Sequence, residues 1–403
     1  MNLARIYLDN AATTPLRAEA AEAMRAAHAD GAHNPSSLHA EGRRARSQLD
    51  RARDRIAAAL GARRTEVTFT GGGTESDNLA LIGVARGLRR RGRVLVSAIE
   101  HHAVLAALER LQAEGFATEL LPVDARGRVD PDAFARSLGP ETLLASVIYA
   151  NNEIGTVQPV AELARIAHQH GVLFHTDAIA APQWLSIDVG ELGVDLLSLS
   201  AHKFAGPHGV GLLYARSGVP IAPVLHGGGQ EFGRRSGTEN VAGIAGMAAA
   251  LESAVAERSQ AYPRVEALRD RLEAGIRSAV SDVNVNGAGA ARLPNLLSAG
   301  FGGVDAAALL IRLDLAGIAV SAGSACTSGS PEPSHVLAAL GVEPHWRDGS
   351  IRFSLGTRTT QAEIDRVLEV LPAVVGELRQ PVVGQRGGMG RLETNGARLE
   401  AEA

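Results

Sequence analysis

The chain has 403 residues, of which 45% are hydrophobic and 21% charged, with a formal net charge of -4. That balance fits a globular protein and offers no attraction to nucleic acid or a membrane surface. Aromatics at 3% are too few for a base-stacking platform, and a single cysteine excludes an intrachain disulfide or a multi-cysteine metal site. The start, MNLARIYLDN, has no apolar signal core, and no apolar run reaches the roughly 20 residues of a membrane span, so a cytoplasmic address is expected.

From about Thr65 to Arg216, short apolar runs alternate with helical patterns. "EVTFT", "RVLVS", "LLASVIYA", "VLFHTD", "VDLLSLS" and "VGLLYA" read as buried strands. Amphipathic segments at Ser76–Arg89, Ala103–Glu114 and Val160–His170 lie between several of them. This alternation predicts an α/β layer with a mostly parallel sheet, covered on both faces. The basic runs Arg43–Arg55 and Arg86–Arg93 read as solvated helix faces and a loop.

After Glu239, two helical stretches are expected, at about Asn240–Glu257 and Pro263–Val280. Smaller units follow: "VNV", "NLLSAG", "IAVSAG", a helix at Val304–Leu315, "SIRFSL" and a helix at Gln361–Val375. They read as a second, smaller α/β domain. The end of the chain is rich in glycine and charge, and residues 379–403 are expected to form a disordered tail.

Several strand ends carry polar groups. In "FTGGGTESDN" a strand ends at Thr70, glycines free the backbone, and a helix begins near Thr74. Backbone N–H groups at such a point suit phosphate, although a plain glycine turn with Thr74 as cap and Asp77 in the first turn fits equally well. "SLSAHKFAGPHGVG" delivers Ser200, His202 and Lys203 at a strand end, where open α/β sheets bind ligands. The chain is poor in lysine. A lysine kept among arginines suits work that guanidinium cannot do, such as attack on a carbonyl.

"FHTDAIA" places Asp177 after another strand, either as a partner for a protonated ring nitrogen or as a helix cap. A reactive lysine, a carboxylate and a phosphate cradle are what pyridoxal phosphate needs. His168, His170 and His175 lack the spacing of a metal site, and no metal is expected. "SAIEHHAV" offers His101 for stacking and proton movement, and "ANNEIGTVQP" offers Asn152 as a hydrogen-bonding group. Each of these residues also has a plain structural reading. Their shared position at strand ends is what that reading explains badly.

The only cysteine, Cys326, sits in "SAGSACTSGSPEP", among residues that give backbone freedom rather than a core. Exposure of that kind suits a reactive thiol.

Over about residues 5–375 the sequence resembles the cysteine desulfurases, which are class V aminotransferases of pyridoxal-phosphate fold type I. The stretches that carry the resemblance include "YLDNAATTP", "NPSSLHAEG", "GGTESDN", "EHHAV", "NNEIGTVQP", "HTDA", "SAHKFAGPHGVG", "GGGQEFGRRSGTEN", "GSACTSGSPEPSHVLAALG" and "IRFSLG". The resemblance implies a large cofactor domain at 14–258, with a mostly parallel seven-stranded sheet. It implies a small domain from 1–13 and 259–378 that carries the cysteine loop.

It also implies site roles. Lys203 would carry the pyridoxal phosphate, Asp177 would pair with the pyridine nitrogen, and His101 would stack on the ring. Gly73, Thr74, Ser200 and His202 would hold the phosphate. Thr238 would reach the phosphate of the other subunit of a homodimer. Asn152 and Arg352, with Asn34 nearby, would bind the substrate carboxylate.

Cys326 would take sulfur from L-cysteine as a persulfide, leave L-alanine, and pass the sulfur to an acceptor protein. Iron–sulfur cluster assembly and tRNA thiolation are the expected destinations. A selenocysteine lyase and a non-catalytic scaffold of the same fold are the alternatives. One departure stands out: relatives read "TDAVQA", and the glutamine that bonds the cofactor's phenolic oxygen is Ala180 here. Gln183 lies close enough in sequence to be a substitute.

Overall fold

The computed structural model describes residues 5–30, 33–323 and 334–380. Twelve strands occur among them: β1 (Ile6–Tyr7), β2 (Val67–Thr70), β3 (Arg93–Ser97), β4 (Ala117–Leu121), β5 (Thr142–Ser146), β6 (Leu173–Asp177), β7 (Leu196–Ser200), β8 (Gly211–Ala215), β9 (Val283–Val285), β10 (Leu296–Phe301), β11 (Ile318–Ala319) and β12 (Ser350–Ser354).

The large sheet has the order β2-β8-β7-β6-β5-β3-β4, and only β8 runs against its neighbours. Strand residues alternate between two cores. Leu197, Leu199 and Phe174 face a cluster with Leu49, Ile56 and Phe134, while Leu196, Val94 and Val96 face one with Leu81, Val104 and Leu111. Each side chain of this kind, once buried, stabilises the fold by roughly 1.5–3 kcal/mol. Polar groups gather toward the strand ends, although Thr68, His175, Thr176 and Ser198 are buried within the strands themselves.

A third core joins Ile6, Leu8, Leu272, Leu297, Phe301, Ile351, Phe353 and Leu371 around the antiparallel sheet β12-β10-β9. Strand β1 pairs with β11, and the bridges Asp9–Ser354 and Ser321–Arg352 stitch that pair to β12.

The expected break between two helices after Glu239 is absent. Val241–Ala279 is one continuous helix with Pro263 inside it. Pro263 and Ser259, whose carbonyl loses its helix partner to the proline, both lie on the exposed side of the helix. The helix Ala18–Ala29 crosses closely at Gly246, where a Cβ would lie 2.6 Å from Met24 Cγ. The last helix, Gln361–Arg379, extends past the expected end at Val375. The rest of the tail, 381–403, lies outside the described residues, as does Cys326.

Candidate active site

Strand β7 ends at Ser200, and one tight turn, Ala201–Lys203, aims the lysine off the sheet edge. The turn leaves Ala205 at φ 63°, and Thr14 holds that conformation: its Oγ1 donates to His202 O (2.7 Å) and accepts from Ala205 N (2.7 Å). Lys203 Nζ donates to the carbonyls of Ala11 (2.5 Å) and Ala12 (2.9 Å). The amine therefore lies against the segment that follows β1.

Asp177 ends β6, the neighbour of β7, and is buried. Burial pushes its carboxyl up to about 6, against the pull of the Ile179 N–H, 2.9 Å from Oδ1, and of the Lys203 charge.

His101 caps the helix His102–Ala113, and its Nδ1 accepts from Ala103 N at 3.1 Å. That bond places the proton of the neutral ring on Nε2. Burial, then Lys203 and the neighbouring histidines, lowers the ring to about 4, so it is neutral at pH 7.

The glycine run after β2 borders a cavity of about 590 Å³ lined by Gly71, Gly72, Gly73, Thr74, Ser200 and His202. A Cβ on Gly73 would lie 2.3 Å from Ile179 Cδ1 and 3.4 Å from Ser200 Cβ, so the loop packs onto the ends of β6 and β7. His202 stacks on His208 at 5.1 Å, and its Nδ1 lies 3.1 Å from Thr13 Oγ1.

Arg352 lies on β12. Its guanidinium donates to Asp9 Oδ1 (2.9 Å) and to the Asn152 carbonyl (2.9 Å) while remaining 1% exposed. Asn152, Ala180, Gln183 and Lys203 share the wall of a second cavity, of about 410 Å³. Gln183 is thus on the lysine side, its Oε1 accepting from Arg17 Nη2 at 3.4 Å.

Asn34 and Thr238 do not line that cavity. Asn34 Oδ1 accepts from Ser36 N at 2.9 Å, and Ser36 borders a separate cavity with Gln230, Glu231 and Glu239. Thr238 is exposed beside it.

The histidines weighed as metal ligands part company. His168 binds Asp195 at 2.8 Å, His170 faces the Ile166 carbonyl, and His175 lies between Ser146 and Ser198. Among the described residues no three His, Cys, Asp or Glu side chains gather as a metal set.

Sequence reading missed a buried polar layer under Asp177. Asp77 is fully buried, with Oδ1 3.8 Å from His175 Nε2, and burial and Asp177 push its carboxyl well up. Glu100, equally buried, accepts from Ser97 Oγ (2.5 Å) and Ile148 N (2.6 Å), and burial raises it to about 8. Both carboxyls stood in plain view in "TESDN" and "EHHAV". Asp77 is no first-turn surface residue; only the tertiary fold puts it under the sheet edge.

The class-V aminotransferase family model matches residues 6–367. The chain belongs to that family, among its cysteine desulfurases. It is 48% identical over 375 residues to the cysteine desulfurase IscS of Dictyoglomus turgidum, covering 93% of this chain and 95% of that protein. It is 43% identical over 378 residues to the cysteine desulfurase NifS of Azotobacter vinelandii, covering 94% of each. A solved NifS-like protein superposes with a TM-score of 0.87 at 38% identity, covering 93% of this chain and all of that one.

The family uses pyridoxal phosphate, and the residues present fit it. The glycine cradle has no Cβ in the way of a phosphate, a buried carboxylate ends β6, and an amine ends β7.

Proposed function

We propose that the protein is a homodimeric, cytoplasmic, pyridoxal-phosphate-dependent cysteine desulfurase, which converts L-cysteine to L-alanine and hands the sulfur to an acceptor protein. One observation carries this reading: Asp177 ends β6, Lys203 follows its neighbour β7, and the Gly71–Thr74 cradle packs onto the ends of the same two strands, where a Cβ on Gly73 would lie 2.3 Å from Ile179 Cδ1 and 3.4 Å from Ser200 Cβ. In this reading Lys203 holds the cofactor's aldehyde carbon, Asp177 its ring nitrogen, and Gly73, Thr74, Ser200 and His202 its phosphate. Thr238 reaches the phosphate bound by the second copy.

Bound pyridoxal phosphate supplies an electron sink for the substrate's α-carbon. Arg352 grips the substrate carboxylate through its planar fork, already oriented by Asp9 and Asn152. Lys203, set free once the amine of the substrate has taken its place, would take the α-proton. Neutral His101, with its proton on Nε2, returns protons without adding a competing charge.

The Cys326 thiolate forms an S–S bond to the substrate sulfur as the C–S bond breaks. The bonding pair stays on carbon, which is protonated to the methyl group of alanine. Cys326 then holds a persulfide, and with no second cysteine in the chain the next thiol lies on the acceptor. Iron–sulfur cluster assembly and tRNA thiolation are the sulfur-consuming processes that suit this chemistry.

The test is direct. Wild-type protein with L-cysteine and a thiol reductant releases sulfide and alanine in equal amounts. Cys326→Ser retains the visible absorbance of the bound cofactor and releases no sulfide, and Lys203→Ala loses the absorbance. Full activity in Cys326→Ser would sink the nucleophile assignment. A higher rate with selenocysteine would recast the enzyme as a lyase for that substrate.

A further inference from the structure

The segment Gln230–Glu239, which carries Thr238, leaves the body of the protein through a strained turn. Glu231 and Phe232 both have left-handed backbones, at φ 49° and 58°, and neither is glycine. A left-handed backbone is unfavourable for a residue with a side chain and persists only where surrounding contacts over-determine it.

The contacts that do so centre on Arg53 and strand β2. Arg53, on the helix Ala40–Leu60, meets Glu231 with both ends of its fork: Nη2 to Oε1 at 2.6 Å and Nη1 to Oε2 at 2.8 Å. The two side chains are 2% and 1% exposed. Arg53 Nη1 also donates to the Val67 carbonyl (2.7 Å), and Glu231 Oε2 accepts from Phe69 N (2.8 Å). The guanidinium is packed between rings, 4.5 Å from the centre of Phe69 and 5.1 Å from that of Phe232.

Val67 and Phe69 belong to β2, whose next residues are the glycine cradle. Further along, Gln230 Oε1 accepts from Gly237 N (2.9 Å) and Ser236 Oγ from Gly229 N (3.3 Å), which folds the segment back on its own root. Arg235 binds Glu75 at 2.8 Å. A rigid root therefore ends in the exposed Thr238. A buried ion pair is weak ground for stability, because desolvation offsets most of the attraction. Its fork geometry and its attachment to a strained turn suit a positioning role better.

The geometry points to the Arg53–Glu231 pair as a positioning element that acts across the dimer: it holds Gln230–Glu239 so that Thr238 meets the phosphate of pyridoxal phosphate in the second copy's cradle. This rests on the dimeric reading above and goes beyond it by naming what sets the threonine's place.

The test uses holoenzyme and reads the loss of cofactor absorbance during dialysis. The double variant Arg53→Met/Glu231→Gln removes both charges and keeps an acceptor for Phe69 N. It remains dimeric and folded by sedimentation and circular dichroism, and loses pyridoxal phosphate about tenfold faster than wild type. Should it not fold, Arg53→Lys, which keeps the charge without the fork, carries the same comparison.

The deciding sample is a heterodimer of the variant with Lys203→Ala. Its one lysine-bearing cradle receives an intact segment from the Lys203→Ala protomer, and release returns to the wild-type rate. Fast release from that heterodimer, or wild-type release from the variant homodimer, overturns the proposal. A parallel heterodimer of Thr238→Ala with Lys203→Ala tests the underlying reading by itself. Fast release there shows that the threonine does not act across the dimer. Slow release there, with fast release from the Arg53 heterodimer, refutes only the role of the pair.

Discussion

Asp9 and Arg352 form an ion pair at 2.9 Å although 343 positions separate them in the chain. The pair locks the segment after β1 to the centre of β12. The neighbouring backbone bonds between Arg352 and Ser321 extend the lock to the root of the segment that carries Cys326. On the far side of that segment, Ser334 Oγ donates to Glu153 Oε2 at 2.6 Å. The proposed carboxylate grip and the two anchors of the cysteine segment are thus parts of one framework.

Arg352→Lys keeps the charge and loses the planar fork, and with it the simultaneous bonds to Asp9 and Asn152. KM for L-cysteine is expected to rise about tenfold, the equivalent of about 1.4 kcal/mol, with the cofactor's absorbance unchanged. Steady-state kinetics beside a visible spectrum checks it. An unchanged KM removes Arg352 from the substrate site.

Glu100 ties stability to pH. Its folded value of about 8 lies above the ordinary 4.5, so the native protein keeps a proton that the unfolded chain releases. Stability from this group is full below about 4.5 and falls as pH rises through about 8. Glu100→Gln supplies a neutral isostere, since Oε1 alone accepts from Ser97 and Ile148. The variant is expected to be more stable than wild type at pH 8, by on the order of 1–3 kcal/mol, and equal to it near pH 4.5. Urea unfolding at both pH values decides.

The proposed role of Asp177 concerns cofactor retention instead. Only its anion pairs with a protonated ring nitrogen, and the carboxyl gains its proton as pH falls through about 6. A cation opposite moves that midpoint lower. Cofactor release is expected to quicken by about tenfold between pH 7.5 and 5, and to be fast and independent of pH in Asp177→Asn. Release rates followed by absorbance test this. A wild-type rate that is flat across the range separates Asp177 from the ring.

Much of this was legible in the sequence, for physical reasons. Strands buried on both faces read as apolar runs, so β2, β3, β5, β6, β7 and β8 were visible. Strand β4 was not: only Leu121 of its residues is buried, so an edge position erased the pattern. Pro263 looked like a stop because local rules forbid it in mid-helix, and its exposed position on the long helix could not be seen. The lysine, the aspartate and the glycine run were legible because each ends a visible strand. Asp77 and Glu100 were not, because depth under a sheet edge depends on strands far away in sequence. Nor was the separation of Asn34 and Thr238 from the Lys203 cavity, which depends on how the Asn34–Ser36 turn and the Gln230–Glu239 segment come together around another cavity.

Gly211 tests whether the cradle's shape holds the cofactor. It begins β8, directly beside the loop after β2, and a Cβ there would lie 2.6 Å from the carbonyl carbon of Gly72 and 2.7 Å from its oxygen. Backbone cannot step aside as a side-chain tip can, so Gly211→Ala must push Gly71–Thr74 away from Ser200. Overpacking of this kind costs about 1–3 kcal/mol. The displacement should also speed cofactor release about tenfold. Gly73→Ala overlaps a side chain, Ile179, and only touches Ser200 Cβ at 3.4 Å, so its effect on release should be smaller. Equal release rates in the two variants would mean that the approach of Gly72 to Gly211 does not shape the phosphate site.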